Sequence, residues 1–302
     1  MLLDVTPKPS VFLAGFDPTL HSFYTIRVLP PFAPPIVQSR WQGRFMFRLH
    51  KWYLDVVSET GDVLILYAGT VEWGRIAFDY ASVLQYRDGV TRDEQSIRRV
   101  AQPRLQADAV TWRSGPLRVE GQWIRDAQAI QRTLVNGPDG LINWTCHMPR
   151  AQATVQFQGE KIAGLGYVES LTLSIPPSKL PFRTLRWGRH LSDRHWLVWI
   201  GWAGCGDRRW IWMDGEEQPA AALVDGAPSR LNSGAGLRLS SARDVRDRNV
   251  LESLTGLPAA MTRRIAGSLA GLHEHKQVSR SSLVIADHAI DHGWALHEVV
   301  TR

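Results

Sequence analysis

Between Trp41 and Ser240 the chain is a succession of short runs of β-branched and aromatic residues cut by turn residues, and this pattern restricts its fold more than any other feature. Runs of roughly 4–8 such residues bounded by Gly, Asp and Ser read as strands. Phe45–Ser58 alternates imperfectly, Glu59-Thr60-Gly61-Asp62 supplies a turn with a glycine for positive φ, and Val63–Trp73 returns as the second arm of a hairpin. In the first arm Trp52, Leu54 and Val56 share one face, while Tyr53, Asp55 and Val57 share the other. An acid set between an aromatic and an aliphatic residue faces either solvent or a polar-lined cavity. Further strands are expected near 82–87, 104–112, 117–123, 142–146 and 153–158. A second set is expected at 164–174, 184–191, 196–201, 209–213, 221–224 and 236–240, with turns at Ser192-Asp193 and Asp214-Gly215. Helical spacing surfaces convincingly once, where Met261, Ile265, Leu269 and Leu272 recur behind Pro258, so Leu257–Leu272 is expected to be a helix. Strands at 277–285 and 293–300 follow it.

The pattern predicts an all-β protein built as a sandwich or barrels, with that single helix packed outside a barrel or across its mouth. Its 302 residues suit two cores better than one, since single cores stop growing near roughly 250–300 residues. The division is expected at 1–155 and 156–302. The first half carries an arm, residues 1–40, in which Pro30-Pro31 and Pro34-Pro35 exclude regular structure.

Composition excludes several classes. The formal charge of +6 comes from Lys and Arg that are scattered rather than gathered in a patch, which argues against a nucleic-acid partner. A peripheral contact with anionic membrane surfaces stays compatible with that charge. Two cysteines, Cys146 and Cys205, do not make a disulfide scaffold and read as core thiols. The first residues lack a basic stretch followed by an apolar one, and no apolar run approaches the roughly 18 residues of a membrane span. A cytoplasmic protein is the expectation.

No short motif fixes a chemistry. Gly164-Leu165-Gly166 opens like a dinucleotide loop but lacks the third glycine and a following helix. There is no nucleophile elbow and no phosphate loop. His273, His275, His288, His292 and His297 cluster near the end of the sequence, yet their spacing offers no consistent ligand geometry, so they read as solvated histidines and no metal is expected. Thirteen tryptophans are the compositional outlier. They suit a wide barrel interior, a ligand pocket or a sugar-binding face. In a strand, Tyr167 and Glu169 point to the same side. Burial among aromatic rings disfavours the charged form of a carboxyl group, and a neutral carboxylic acid in an apolar pocket is what alkene protonation requires. The alternative is an ion pair of Glu169 with Arg186 or Arg189 that serves the fold.

Lys51-Trp52-Tyr53-Leu54-Asp55-Val56-Val57-Ser58 with Gly61 resembles a strand and turn of the carotenoid 1,2-hydratase (hydroxyneurosporene synthase) and AttH-like proteins. Asn143-Trp144, Pro149-Arg150-Ala151, Gly164–Tyr167 and Trp187-Gly188-Arg189 follow in the order of that family, over roughly residues 41–215. The resemblance implies two lipocalin-like (calycin) β-barrels, lipophilic substrates that are hydrated or cyclised, and no cofactor. Hydratases of the family carry an Asp-His-Asn-Trp-Gly-like run after the Gly-Tyr, where this chain has Val168-Glu169-Ser170-Leu171-Thr172. Glu169 can replace the acid, but the adjoining histidine and tryptophan are missing, which separates this chain from carotenoid hydration proper. The expected function is acid-catalysed hydration, cyclisation or isomerisation of a polyene, terpenoid or polyketide-like molecule. Glu169, Tyr167 and Asp55 are the expected catalytic residues. Trp52, Tyr53, Trp187, Arg189, Trp199 and Trp202 are expected to line the pocket, with Trp faces stabilising a developing cation. A non-catalytic carrier of a lipophilic molecule is the competing class, and a sugar-binding module with tryptophans on an open face is a third.

Overall fold

The computed structural model describes residues 47–302 apart from 75, 98, 99, 205, 251, 253–266, 268, 270 and 287. The arm at 1–40 lies outside them, as does nearly all of the expected helix, of which Gly267 and Leu269 are described and helical. Cys205 is outside them as well. Among the described residues, no helix is long and apolar enough to cross a membrane.

The alternating runs become antiparallel strands. The first sheet contains β1 (Phe47–Val57), β2 (Val63–Trp73), β3 (Ile76–Arg87), β4 (Val90–Ser96), β5 (Arg104–Leu105), β6 (Ala109–Ser114), β7 (Val119–Arg125), β8 (Ile130–Gly137), β9 (Gly140–Phe157) and β10 (Glu160–Leu173). Their order is β4-β3-β2-β1-β10-β9-β7-β6-β5, with β8 on the free edge of β9. The second sheet contains β11 (Phe182–Leu191), β12 (Trp196–Gly204), β13 (Arg208–Met213) and β14 (Glu216–Glu217), then β17 (Gly236–Asn249), β18 (His273–Ile285) and β19 (His288–Thr301). A small ribbon, β15 (Ala222–Val224) with β16 (Ala227–Ser229), lies between these two groups in the chain, and the sheet runs β14-β13-β12-β11-β19-β18-β17.

Each sheet curls around its own core. Ala81 and Val83 of β3 share a cluster with Val110 and Trp112 of β6, although the two strands stand near opposite ends of the sheet. In the second sheet Ile211 of β13 and Leu237 of β17 meet in the same way, bridged by Ala221, Ala227, Leu231 and Ala235. A third and larger core fills the space between the two sheets. It takes Trp144, Trp187, Trp196, Trp202, Trp210, Trp212 and Trp294. The abundant tryptophan is therefore mainly glue between barrels, since each indole removes a large apolar area from water.

Several expectations need correction. β10 belongs to the first sheet, because it pairs with β1 in the register Tyr53↔Glu169 and Asp55↔Tyr167. The change of sheet falls at 174–181, around the Pro177–Lys179 turn, and not at 155/156, which lies within β9. The strands at 142–146 and 153–158 are one strand running through Pro149. Proline is tolerated there because β8 pairs only as far as Cys146 and β7 starts at Ala151, so no neighbour on that edge requires its missing N–H. The partner edge is bulged at the same level, between Gly166, Val168 and Glu169. Strands β4 and β8 carry too few alternating apolar residues to stand out in the sequence. Gly164 and Gly166 let two backbones approach closely: a Cβ on Gly164 would lie 2.0 Å from the Val57 carbonyl oxygen, and one on Gly166 would lie 2.5 Å from that of Asp55.

Candidate functional site

Alternation along β1 decides what faces what. Trp52, Leu54 and Val56 point into the first barrel with Val168, while Tyr53, Asp55 and Val57 point at the second sheet with Tyr167 and Glu169. The expected catalytic group is thus gathered between the sheets, not inside a barrel. The barrel interior is instead filled by Trp112, Trp123 and Met148.

Between the sheets, Asp55 and Arg189 form a two-pronged ion pair, Oδ1 to Nη2 at 2.6 Å and Oδ2 to Nε at 3.2 Å, both side chains wholly shielded from solvent. Arg189 also donates through Nη1 to the Trp294 carbonyl at 3.2 Å. Burial pushes the Asp55 carboxyl up, and the guanidinium pulls it back. Glu169 is buried beside this pair. Its Oε2 accepts from Trp144 Nε1 at 2.5 Å, Tyr167 Oη at 2.6 Å and Trp187 Nε1 at 3.2 Å. Among the described residues Glu169 has no ion pair: Arg189 is committed to Asp55, and the alternative pairing with Arg186 or Arg189 does not form. Tyr53 touches Tyr67, Tyr167 and Trp187 edge-on, with ring centroids 5.4, 6.0 and 4.9 Å away. Its hydroxyl is buried near Asp55, and burial raises it well above the ordinary phenol range.

Two of the expected pocket residues point elsewhere. Trp52 stacks on His147 at 4.7 Å in the first barrel. Trp199 lies in the second barrel beneath Gly188, whose missing side chain makes room for the indole. Trp202 does lie between the sheets, stacked on Phe182 at 6.0 Å.

A second polar group, not anticipated from the sequence, adjoins the first. Lys276 of β18 is fully buried, bonded to Glu298 and 3.3 Å from Glu274 Oε1. Its ammonium stands 5.5 Å from the Tyr53 ring centre and 5.6 Å from that of Trp187. Burial lowers the Lys276 amine to about 8, against the pull of Glu274. Arg246 reaches Glu274 at 3.5 Å and Asp93 at 2.9 Å, and Arg248 also bonds Asp93. Burial pushes the Glu274 carboxyl up, but Lys276 and Arg246 outweigh it and hold the group low. The signal for this group was present in the sequence: Glu274 and Lys276 are in phase with Val278 on one strand face, and the buried positions of β18 alternate accordingly. The histidines interleaved with them drew the reading to the other face. There His273 pairs with Asp247 at 3.3 Å and His275 with Asp244 at 2.8 Å. Among the described residues no three His, Cys, Asp or Glu are grouped to hold a metal ion.

This charged group forms one end of a cavity of about 320 Å³ between β1–β3 and the β11, β17, β18 and β19 strands. Its walls are largely apolar and aromatic, including Phe47, Trp73, Phe78, Tyr80, Phe182 and Leu272. Lys51, Tyr67, Arg246, Glu274 and Glu298 supply the polar end. The volume falls in the range of small-molecule sites, roughly 300–1,000 Å³. None of the nine expected site residues is on its wall. Glu169 stands behind Tyr53, which in turn packs on Tyr67 at the cavity surface.

No protein-family model matches the chain, and no curated protein matches it in sequence. Its fold is that of an AttH-like protein from Nitrosomonas europaea: the superposition has a TM-score of 0.50 at 11% identity and covers 90% of this chain and 98% of that one. Kievitone hydratase from Nectria haematococca (TM-score 0.49, 9% identity) and CghA in complex with Sch210972 (TM-score 0.49, 14% identity) also align. In both cases 84% of this chain and 88% of the other are covered.

Proposed function

We propose that the chain takes a lipophilic molecule of polyene, terpenoid or polyketide type into the cavity between the sheets and hydrates, cyclises or isomerises it by proton transfer. The observation that carries this reading is the buried array of ionisable groups at one end of a largely apolar cavity. Each buried ion costs several kcal/mol of desolvation, and apolar residues of similar volume would hold the sheets together as well or better. Acids and bases kept at that cost beside a cleft are the mark of proton chemistry. Glu298 and Glu274 reach the cavity directly, each tied to Lys276. Glu169 would reach a ligand only if the Tyr53 ring, packed edge-on against Tyr67, Tyr167 and Trp187, turned aside.

The carrier reading is favoured by one fact: the aromatic rings of Tyr53 and Tyr67 stand between Glu169 and the cavity. A two-part experiment decides. Binding is measured with methyl parinarate, a neutral polyene ester, by energy transfer from tryptophan. Turnover is measured by mass spectrometry of a panel of polyenes and terpenoids, as gain of one water or as an isobaric rearrangement. In the enzyme reading, Glu169→Gln or Glu298→Gln keeps binding within a few-fold and lowers turnover about 10²-fold or more, the scale of general-acid catalysis. Binding with no turnover by the unaltered protein across the panel establishes the carrier instead.

A further inference from the structure

Two cationic side chains on the wall of the cavity have donors to spare among the described residues. Asp93, Glu274 and Glu298 meet Lys51, Arg246, Arg248 and Lys276 there. Glu298 and Glu274 are committed to Lys276, Glu274 and Asp93 to Arg246, and Asp93 to Arg248 as well. Lys51 is left over. Among the described residues it has no carboxylate within ion-pair distance, and its close contact is the Tyr67 ring, 5.4 Å from the ammonium. Arg246 has an unspent donor too: its Nε–H is buried and bonds nothing, while its Nη atoms serve Asp93 and Glu274. Both residues line the cavity.

We propose that the occupant of the cavity is an amphiphile with one anionic oxygen group at one end, of which a carboxylate is the simplest, and that Lys51 and Arg246 receive that group. This rests on the reading of the cavity as a ligand site and names the class of ligand it takes. An anion placed there gives partners to donors that lack them. In a low-dielectric site, charge-assisted hydrogen bonds of this kind are about twice as strong as neutral ones. The two cavity carboxylates do not exclude it, because each is already held by a cation, Glu298 by Lys276 and Glu274 by Lys276 and Arg246. The remaining walls then hold the hydrocarbon portion, which is oriented head-inward by the charge.

Parinaric acid and its methyl ester share one polyene body and differ in the head group, so they separate the two readings. Affinities are measured by energy transfer from tryptophan at neutral pH and low salt. The acid is expected to bind the unaltered protein at least tenfold more tightly than the ester, which corresponds to about 1.4 kcal/mol. Lys51→Met should bring the acid down to the ester's affinity and leave the ester within twofold. Lys51→Glu should weaken the acid further and again spare the ester. Lys51 is half-buried and makes a ring contact, so both variants are expected to fold, which circular dichroism checks. Equal binding of acid and ester by the unaltered protein overturns the proposal and leaves the cavity reading intact, as does equal weakening of both by Lys51→Met. Failure of both ligands to bind overturns the cavity reading and this proposal with it.

Discussion

Asp55→Asn removes one charge from the most deeply enclosed ion pair in the molecule and leaves Arg189 in place. The carboxylate contacts the guanidinium at 2.6 and 3.2 Å with neither side chain exposed, so water cannot take over the solvation of Arg189. At an effective dielectric of about 20, two unit charges about 4 Å apart interact by about 4 kcal/mol. Removing one member of such a pair typically costs about 3–5 kcal/mol, because the survivor is buried uncompensated. For a protein of this size, about 1 kcal/mol moves Tm by roughly 2–4 °C, so the fall should be on the order of 10 °C. Arg189→Met should cost a similar amount. The double variant Asp55→Leu with Arg189→Met removes both charges and should recover most of the loss, giving a coupling energy of at least about 2 kcal/mol in denaturant titrations. If Asp55→Asn alone unfolds within about 1 kcal/mol of the unaltered protein, the pair is not shielded as described. The double variant then separates roles: restored stability with restored activity makes the pair a structural clasp between β1 and β11, whereas restored stability without activity makes it part of the reaction.

Other outcomes follow from the packing and the titrating groups. Gly164→Ala should destabilise by about 3 kcal/mol or more, beyond the usual cost of overpacking, since the new Cβ meets the Val57 carbonyl at 2.0 Å and β1 must lift from β10; a loss under about 1 kcal/mol would contradict that register. Burial holds His147 and His297 down at about 4, while in the unfolded chain both charge near 6.5. Stability is therefore complete above about pH 6.5 and is lost as pH falls toward 4, by up to about 3 kcal/mol for each ring. His147→Gln with His297→Gln should flatten that acid limb in pH-dependent melts, and an unchanged slope would assign it to other groups. Burial pushes the Cys146 thiol well up, so alkylation at pH 8 followed by peptide mapping should find Cys146 unmodified in the folded protein and modified in denaturant.

The strands were legible wherever one face is buried and the other wet. β7, with its strictly alternating burial, and the β1–β2 hairpin emerge directly from period two. The Asp214-Gly215 turn is equally direct, with φ of 51° and 95° at its centre, the left-handed pair that suits a two-residue hairpin. What escaped has a common physical cause. β4 and β8 bury little of themselves, so nothing selects apolar residues at alternate positions. The sheet to which β10 belongs is decided by long-range pairing with β1, more than a hundred residues away in the chain, and local pattern holds no information about that.

The site was legible to the extent that its charges share a face with apolar neighbours. Asp55 between Tyr53 and Val57, and Arg189 between Trp187 and Leu191, are both in phase with buried side chains, and the structure brings the two together. The same argument applies, one step later in the chain, to Glu274 and Lys276 ahead of Val278 and to Glu298 between Leu296 and Val300. Cross-strand register then places Lys276 opposite Glu298 and Val278 opposite Leu296, so the ionic and apolar pairs lie in one continuous row. Pattern reading assigns charged residues to solvent, and it fails here because these ions have partners in the neighbouring strand that a single strand's sequence does not show. A charge in phase with an apolar face needs a partner across the ladder or across the interface. Asp55, Arg189, Glu274, Lys276 and Glu298 all meet that requirement within the protein. Lys51 sits one turn of the pleat before Tyr53 on the same face, lines the cavity and, among the described residues, has no carboxylate within ion-pair distance, which is the place the proposed anionic head group would fill.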